Sequence, residues 1–294
     1  MKKFLLKSAG FVTFFIVFFI VFNALFLALI TTASWSFKNR LESIQFDNPD
    51  YDLLILGAST TGDGVDAELL TEHGFKSYNM AIGGSTPQTS YIQLQEYLTN
   101  YTHKPEYIIF GVNSVMEKDF DRDGIHPIIE LTMEDHKFRV EDIPISKFRW
   151  LAFEVFKRLV SKDHRNARLV QGQLRIEKTV KDISAYKDQY LDMQIFESSF
   201  WLEETARLCS ENDIELFVVE MPGYRETQNL SGFGPYTIAY DGEFKADVYN
   251  FNSRQISEAF DPDQDWIGNS HLNQQGAAKF TDMLIDSLFE EADR

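Results

Sequence analysis

The stretch Leu53–Asp66, LLILGASTTGDGVD, decides how the chain is read. Its first half is a short, wholly apolar run without helical period that stops at Gly57, which is the pattern of a buried strand. Ala58, Ser59, Thr60 and Thr61 follow without any hairpin signal, and Gly62-Asp63-Gly64 reads as a loop. Small hydroxyl residues where a buried strand ends either cap a helix or belong to a site.

With this run, taken over 51–56, apolar strand candidates lie at 77–82, 107–110 and 215–220, separated by helix-like stretches at 67–72, 90–100 and 200–212. Residues 273–290 carry a helical apolar stripe. Strands alternating with helices predict an α/β fold with a parallel sheet. Two segments break the alternation and read as insertions, 115–194 and 223–265. Their aromatic content argues against disorder. Trp150, Phe153, Phe156, Tyr236 and Tyr240 are expected to form the small cores of these insertions, with a sugar groove as the alternative.

No charged residue occurs from Ser8 to Phe37, and Phe11–Ile30 is almost continuously apolar. Twenty residues at 1.5 Å rise span roughly the 30 Å of a bilayer core. Lys2, Lys3 and Lys7 precede the run, so the positive-inside rule puts residues 1–10 in the cytoplasm and the rest outside. The expected order is an anchor over 11–31, a polar stalk over 32–50 and a domain over 51–294. A cleaved signal peptide is the alternative, because Thr31–Ser34 offers small residues, but its apolar core would be about 7–15 residues. Asn23 is the one strongly polar residue of the span.

The 294 residues carry a formal net charge of −17, with 28 Lys and Arg against 45 Asp and Glu. That balance argues against nucleic acid as a partner. A single cysteine, Cys209, excludes an internal disulfide and is expected to be packing material. His126 and His136 flank an acidic stretch, but without tight metal-ligand spacing.

In an open parallel sheet, sites form at the carboxyl ends of the strands. There the sequence places Ser59, then Asn79, Gly83 and Gly84, then Gly111 and Asn113. His271 comes just before the closing helix. A serine nucleophile needs a base, and His271 titrates near neutrality. Gly84, Asn113 and the Ser59 backbone N–H can donate to a developing oxyanion.

The blocks ILGASTTGDGVD, YNMAIGGSTPQT, IIFGVNS and SHLNQQGAAKF, in this order, resemble those of the SGNH/GDSL hydrolase superfamily. The resemblance implies a flavodoxin-like three-layer α/β/α sandwich over residues 51–113 and 215–288. It also implies ester hydrolysis or acyl transfer without a cofactor. Ser59 stands at the nucleophile position, Gly84 and Asn113 at the oxyanion positions, and His271 at the base. An anchored, extracytoplasmic member looks like an enzyme acting on acyl groups of a cell-envelope glycan or polymer. The family usually has Asp three residues before the His, where this chain has Gly268. The expected replacement is Asp265 reaching in from a longer loop, with Asn269 as a second candidate for orienting the ring. Without either, a Ser–His dyad or a non-catalytic glycan-binding protein remains. A scaffold that partners a multi-span membrane acyltransferase is a third reading.

Overall fold

The computed structural model describes residues 1–113, 124–160, 168–179, 194–224, 235–240 and 244–290. The chain forms two compact units, one from Met1–Lys38 and Pro127–Arg165, the other from Asn39–His126 and Asn166–Arg294.

The first unit is helical. Helix α1 (Lys2–Ala33) is the one described helix long and apolar enough to cross a membrane. At 1.5 Å per residue it runs about 48 Å. The first segment of this unit ends at Lys38, within α2 (Trp35–Ser43), and its second segment holds α6 (Pro127–Thr132), α7 (Pro144–Lys147) and α8 (Ala152–Val160). Phe26 and Ile30 of α1 share a core with Phe37, Ile128, Phe148, Leu151 and Val155. The buried Asp142 accepts from the Arg139 backbone N–H at 2.7 Å and from Lys147 Nζ at 2.5 Å, and lies 2.9 Å from His136 Nε2. These donors hold its carboxyl well below the usual range, the Lys147 hydrogen bond foremost.

The second unit is mixed α/β around a six-stranded sheet. Its strands are β1 (Leu53–Gly57), β2 (Ser77–Asn79), β3 (Tyr107–Val112), β6 (Glu215–Glu220), β7 (Tyr236–Tyr240) and β8 (Phe244–Asn250), ordered β2-β1-β3-β6-β8-β7. All neighbours are parallel except the edge pair β7 and β8. Alternate strand residues face opposite sides. Leu54, Leu56, Ile108 and Val218 pack against α5 (Pro87–Asn100) and α10 (Phe200–Ser210), with the buried Cys209 among them. Burial pushes the Cys209 thiol up to about 12, consistent with a packing residue. Leu53, Ile55, Ile109 and Val219 pack against α4 (Ala67–Glu72) and α12 (Gln274–Ile285). Each such fully buried aliphatic side chain contributes roughly 1.5–3 kcal/mol.

Three expectations about organisation change. The stretch expected as a stalk forms α2, and Asn39 and Arg40 are buried in the second unit. Asn39 Nδ2 donates to the carbonyls of Asn79 and Ala81, both at 2.9 Å, and Arg40 Nη2 meets Glu96 at 2.5 Å. Within the expected insertion over 223–265, Tyr236–Tyr240 and Phe244–Asn250 belong to the sheet, β8 as its fifth parallel strand and β7 as its edge. From the other expected insertion, the hairpin of β4 (Arg168–Val170) and β5 (Gln173–Arg175) also enters the second unit. Its tip residues Gln171 (φ 45°) and Gly172 (φ 80°) both have positive φ, as a type I′ turn requires. The tip carbonyl of Gln171 accepts from Asn79 N at 2.9 Å.

The feature that sets the site is the start of α3 (Ser59–Gly64) directly over the sheet. Gly57 and Gly111 are register partners on β1 and β3, and Thr61 sits on both. A Cβ on either glycine would lie 2.9 Å from Thr61 Cβ, and one on Gly111 would lie 2.6 Å from its methyl carbon. From the other side, Asn79 Nδ2 donates to the carbonyls of Thr61 and Val65, both at 3.0 Å, holding the last turn of α3.

Gly111→Ala is therefore expected to destabilise the fold by about 1–3 kcal/mol through overpacking. Thr61→Ala in the same chain removes the hydroxyl and methyl from that contact and should recover part of the loss. Thermal melts of the two single variants and the double variant measure the coupling.

Candidate active site

Ser59 is the first residue of α3, partly exposed, and Ala58 before it is extended. Backbone N–H groups in a first helical turn have no intrahelical acceptor, so the Ser59 N–H is available to a ligand. Asp63 lies four residues on, so both side chains occupy one face of the helix.

His271 opens β10 (His271–Leu272), which pairs with β9 (Trp266–Gly268) in a short antiparallel hairpin. Asn273 caps α12, its Oδ1 accepting from Gly276 N at 2.9 Å, so the helix entry fixes the residues just before it. β10 packs along α3. His271 Nδ1 lies 2.7 Å from Asp63 Oδ2. That bond leaves Nε2 as the other ring nitrogen and ties the imidazole to Asp63, itself one helical turn from Ser59.

The carboxylate that meets His271 is thus Asp63, not Asp265. Asp265 is fully buried, and its Oδ2 accepts from Asp261 N and Lys279 Nζ, both at 2.7 Å. Its carbonyl takes the Asn273 N–H at 2.9 Å, and a Cβ on Gly276 would collide with that carbonyl. Asp265 therefore fixes where α12 begins. Asn269 stands in the β9–β10 turn, where its backbone oxygen accepts from Tyr224 N at 2.8 Å. Gly268, the expected place of an orienting acid, pairs with His271 in register, and a Cβ there would meet open space.

Asp63 is 7% exposed, and its Oδ1 is buried and accepts no hydrogen bond among the described residues. Burial pushes its carboxyl up to about 6, against the pull of the His271 hydrogen bond and charge. Burial alone would lower His271, but the hydrogen bond to Asp63 and its charge outweigh that and raise it above 6.5.

Gly84 is the third residue of a turn closed by Ser85 N donating to Ile82 O at 3.0 Å. Its φ of +81° is what a type II turn requires there. Ile82 N donates to Gly57 O at 3.0 Å, tying this turn to the end of β1. Asn113 follows β3 and is buried. It lines a small depression with Gly57, Ala58, Gly111, Ser85 and Thr86. Of the expected site residues only Asn113 lines this hollow; Ser85 at the end of the glycine turn borders it, while Ser59, Gly84 and His271 do not line it. His126, weighed from sequence only as a metal ligand, stands instead beside the glycine turn, its ring 4.0 Å from where a Cβ on Gly84 would lie. Burial pushes it down to about 4, so it is a neutral buttress of the turn at ordinary pH. No group of three or more metal-ligating side chains occurs among the described residues.

Of the aromatics expected as insertion cores, Tyr240 is buried, its hydroxyl donating to Phe196 O at 2.9 Å, and Tyr236 packs partly buried against the same core. Trp150, Phe153 and Phe156 instead are 47–63% exposed and form no core. No protein-family model matches the chain, and no curated protein matches it at a significant level.

The buried pair gives a pH signature. A carboxyl raised from 3.8 to about 6 binds a proton more tightly folded than unfolded, so its contribution to stability falls as pH rises through that window. The raised His271 contributes stability below 6.5 that is lost as pH passes its folded value. Asp63→Asn removes both effects. Its stability relative to wild type should climb between about pH 4 and 6 and again above 6.5, as wild type loses the Asp63 and then the His271 contribution, read by denaturant melts across pH.

Proposed function

We propose that the chain is a serine esterase or O-acyltransferase whose working groups are Ser59, His271 and Asp63. The supporting observation is the 2.7 Å bond between His271 and Asp63, one helical turn from Ser59. In this reading Ser59 Oγ attacks an acyl carbonyl while His271 Nε2 takes its proton. Asp63 holds the ring with its proton on Nδ1 and stabilises the imidazolium. The Ser59 N–H, the Gly84 N–H and the Asn113 amide receive the oxyanion, donors typically worth a few kcal/mol each. Collapse expels the alcohol, protonated by His271, and leaves an acyl-enzyme. Water then gives hydrolysis, and a sugar hydroxyl gives transfer.

The parallel strands run 2-1-3-4-5 in their own order, which supports a flavodoxin-like reading of the α/β unit. With the four motif blocks, this supports the SGNH/GDSL assignment and a cofactor-free reaction. The apolar α1 behind Lys2, Lys3 and Lys7 supports a single-pass anchor with a cytoplasmic N-terminus and an extracytoplasmic site. The substrate class that fits is an acylated carbohydrate or polymer of the cell envelope, with a multi-span membrane acyltransferase as a partner.

The test is labelling of the purified full chain by a fluorophosphonate. Wild type should label, Ser59→Ala should not, and Asp63→Asn should slow labelling by about 10²–10⁴-fold. Asp265→Asn should leave the rate within a few-fold wherever the chain stays folded. The rate should rise with pH through a value above 6.5, because only neutral His271 can act as base. Asp63→Asn should move that limb to lower pH. An unlabelled wild type, or labelling that survives Ser59→Ala, would sink the proposal.

A further inference from the structure

We infer that α8 is a membrane-seated helix, its outer stripe of Phe153, Phe156 and Val160 lying in the boundary between headgroups and acyl chains of the leaflet that α1 enters last. This rests on reading α1 as a retained membrane span.

The helix has two apolar faces. Leu151 and Val155 are buried in the core of the first unit. Phe153, Phe156 and Val160, spaced i, i+3 and i+7 on the opposite side, are each 61–65% exposed. Phe138 and Val140 of the same unit are exposed as well. An apolar stripe of this size on one short helix calls for an apolar partner.

The core beneath it identifies that partner. Leu151 and Val155 pack with Phe26 and Ile30, which belong to the apolar run of α1. Asn23 Oδ1 accepts from the Ile145 backbone N–H at 3.0 Å, while its Nδ2 donates to Phe19 O at 2.9 Å. Asn23 precedes Ile30 by seven residues, or about 10 Å along the helix. The start of α7 therefore reaches into the depth of the span. A backbone N–H there must find a partner within the protein, and Asn23 supplies it. Interfacial helices lie about 5–10 Å into the same boundary, so α8 continues a lipid-facing surface that α1 begins. Arg149 and Lys157 flank the stripe, and Lys157 Nζ lies 4.7 Å from the Phe153 ring centre, a position from which it can reach anionic headgroups. The same packing explains the one polar residue of the span. Cutting the chain after α1 would remove Phe26 and Ile30 from the core and leave the Ile145 N–H unpaired.

The test uses the full chain in vesicles of phosphatidylcholine and phosphatidylglycerol, spin-labelled at F153C, F156C or V160C. F15C serves as the reference within the span and E211C as the aqueous one. The wild-type chain, whose Cys209 is buried, gives the labelling background. Expected at 153, 156 and 160 is relaxation by oxygen exceeding that by a water-soluble nickel chelate, as at 15 and opposite to 211. Nickel access at the three α8 sites with 15 still in lipid would overturn the inference and leave the anchor standing. Protection from both reagents would also overturn it, because protein would then cover the stripe. Nickel access at 15 as well would overturn the anchor reading and this inference together.

Discussion

The second unit depends on how closely α3 approaches the sheet. Two glycines in register, Gly57 and Gly111, leave a notch at the carboxyl ends of β1 and β3, and Thr61 occupies it. In that notch a helix can begin one residue after a buried strand without driving its side chains into the backbone of the next. The consequence is positional. Ser59 stands at the edge of the sheet, and Asp63, one turn on, is carried down into the protein, where it meets His271.

Burying a carboxylate costs folding energy unless it is paired. Asp63 has one partner at Oδ2 and none at Oδ1 among the described residues, and its raised titration records the imbalance. Such a group is an expensive way to stabilise a fold and an effective way to hold an imidazole in one tautomer. The remaining parts of the site rest on ordinary structure: a type II turn for Gly84, a strand end for Asn113, an asparagine cap just after His271. The neutral His126 fills the space behind the glycine turn.

Much of the sheet was legible because β1, β3 and β6 are apolar runs bounded by turn residues. β8 was not, because Lys245 and Asp247 interrupt its pattern; Asp247 faces Thr237 on the edge strand, where a charge is tolerated. Helix α2 looked like a stalk because its buried positions are polar, Asn39 and Arg40, satisfied by partners far away in sequence. The site was half legible. Ser59, Gly84, Asn113 and His271 could be picked out by strand ends and motif order. Asp63 could not, because Gly62-Asp63-Gly64 has poor helix propensity, and only tertiary contacts through Thr61 and Asn79 make it helical. The available signal was its spacing of four from Ser59, which becomes meaningful once those residues are known to be helical. Asp265 looked suitable because it precedes His271 in a loop, yet its carboxylate is committed to Lys279 and the Asp261 N–H.

The central claim is that Asp63 holds the ring of His271. Proton NMR of the full chain in detergent tests it most directly, through the far-downfield resonance of an imidazole Nδ1–H bonded to a carboxylate. The account predicts one such resonance from His271, lost in Asp63→Asn and retained in Asp265→Asn. A resonance that survives Asp63→Asn and disappears in a folded Asp265→Asn would contradict it.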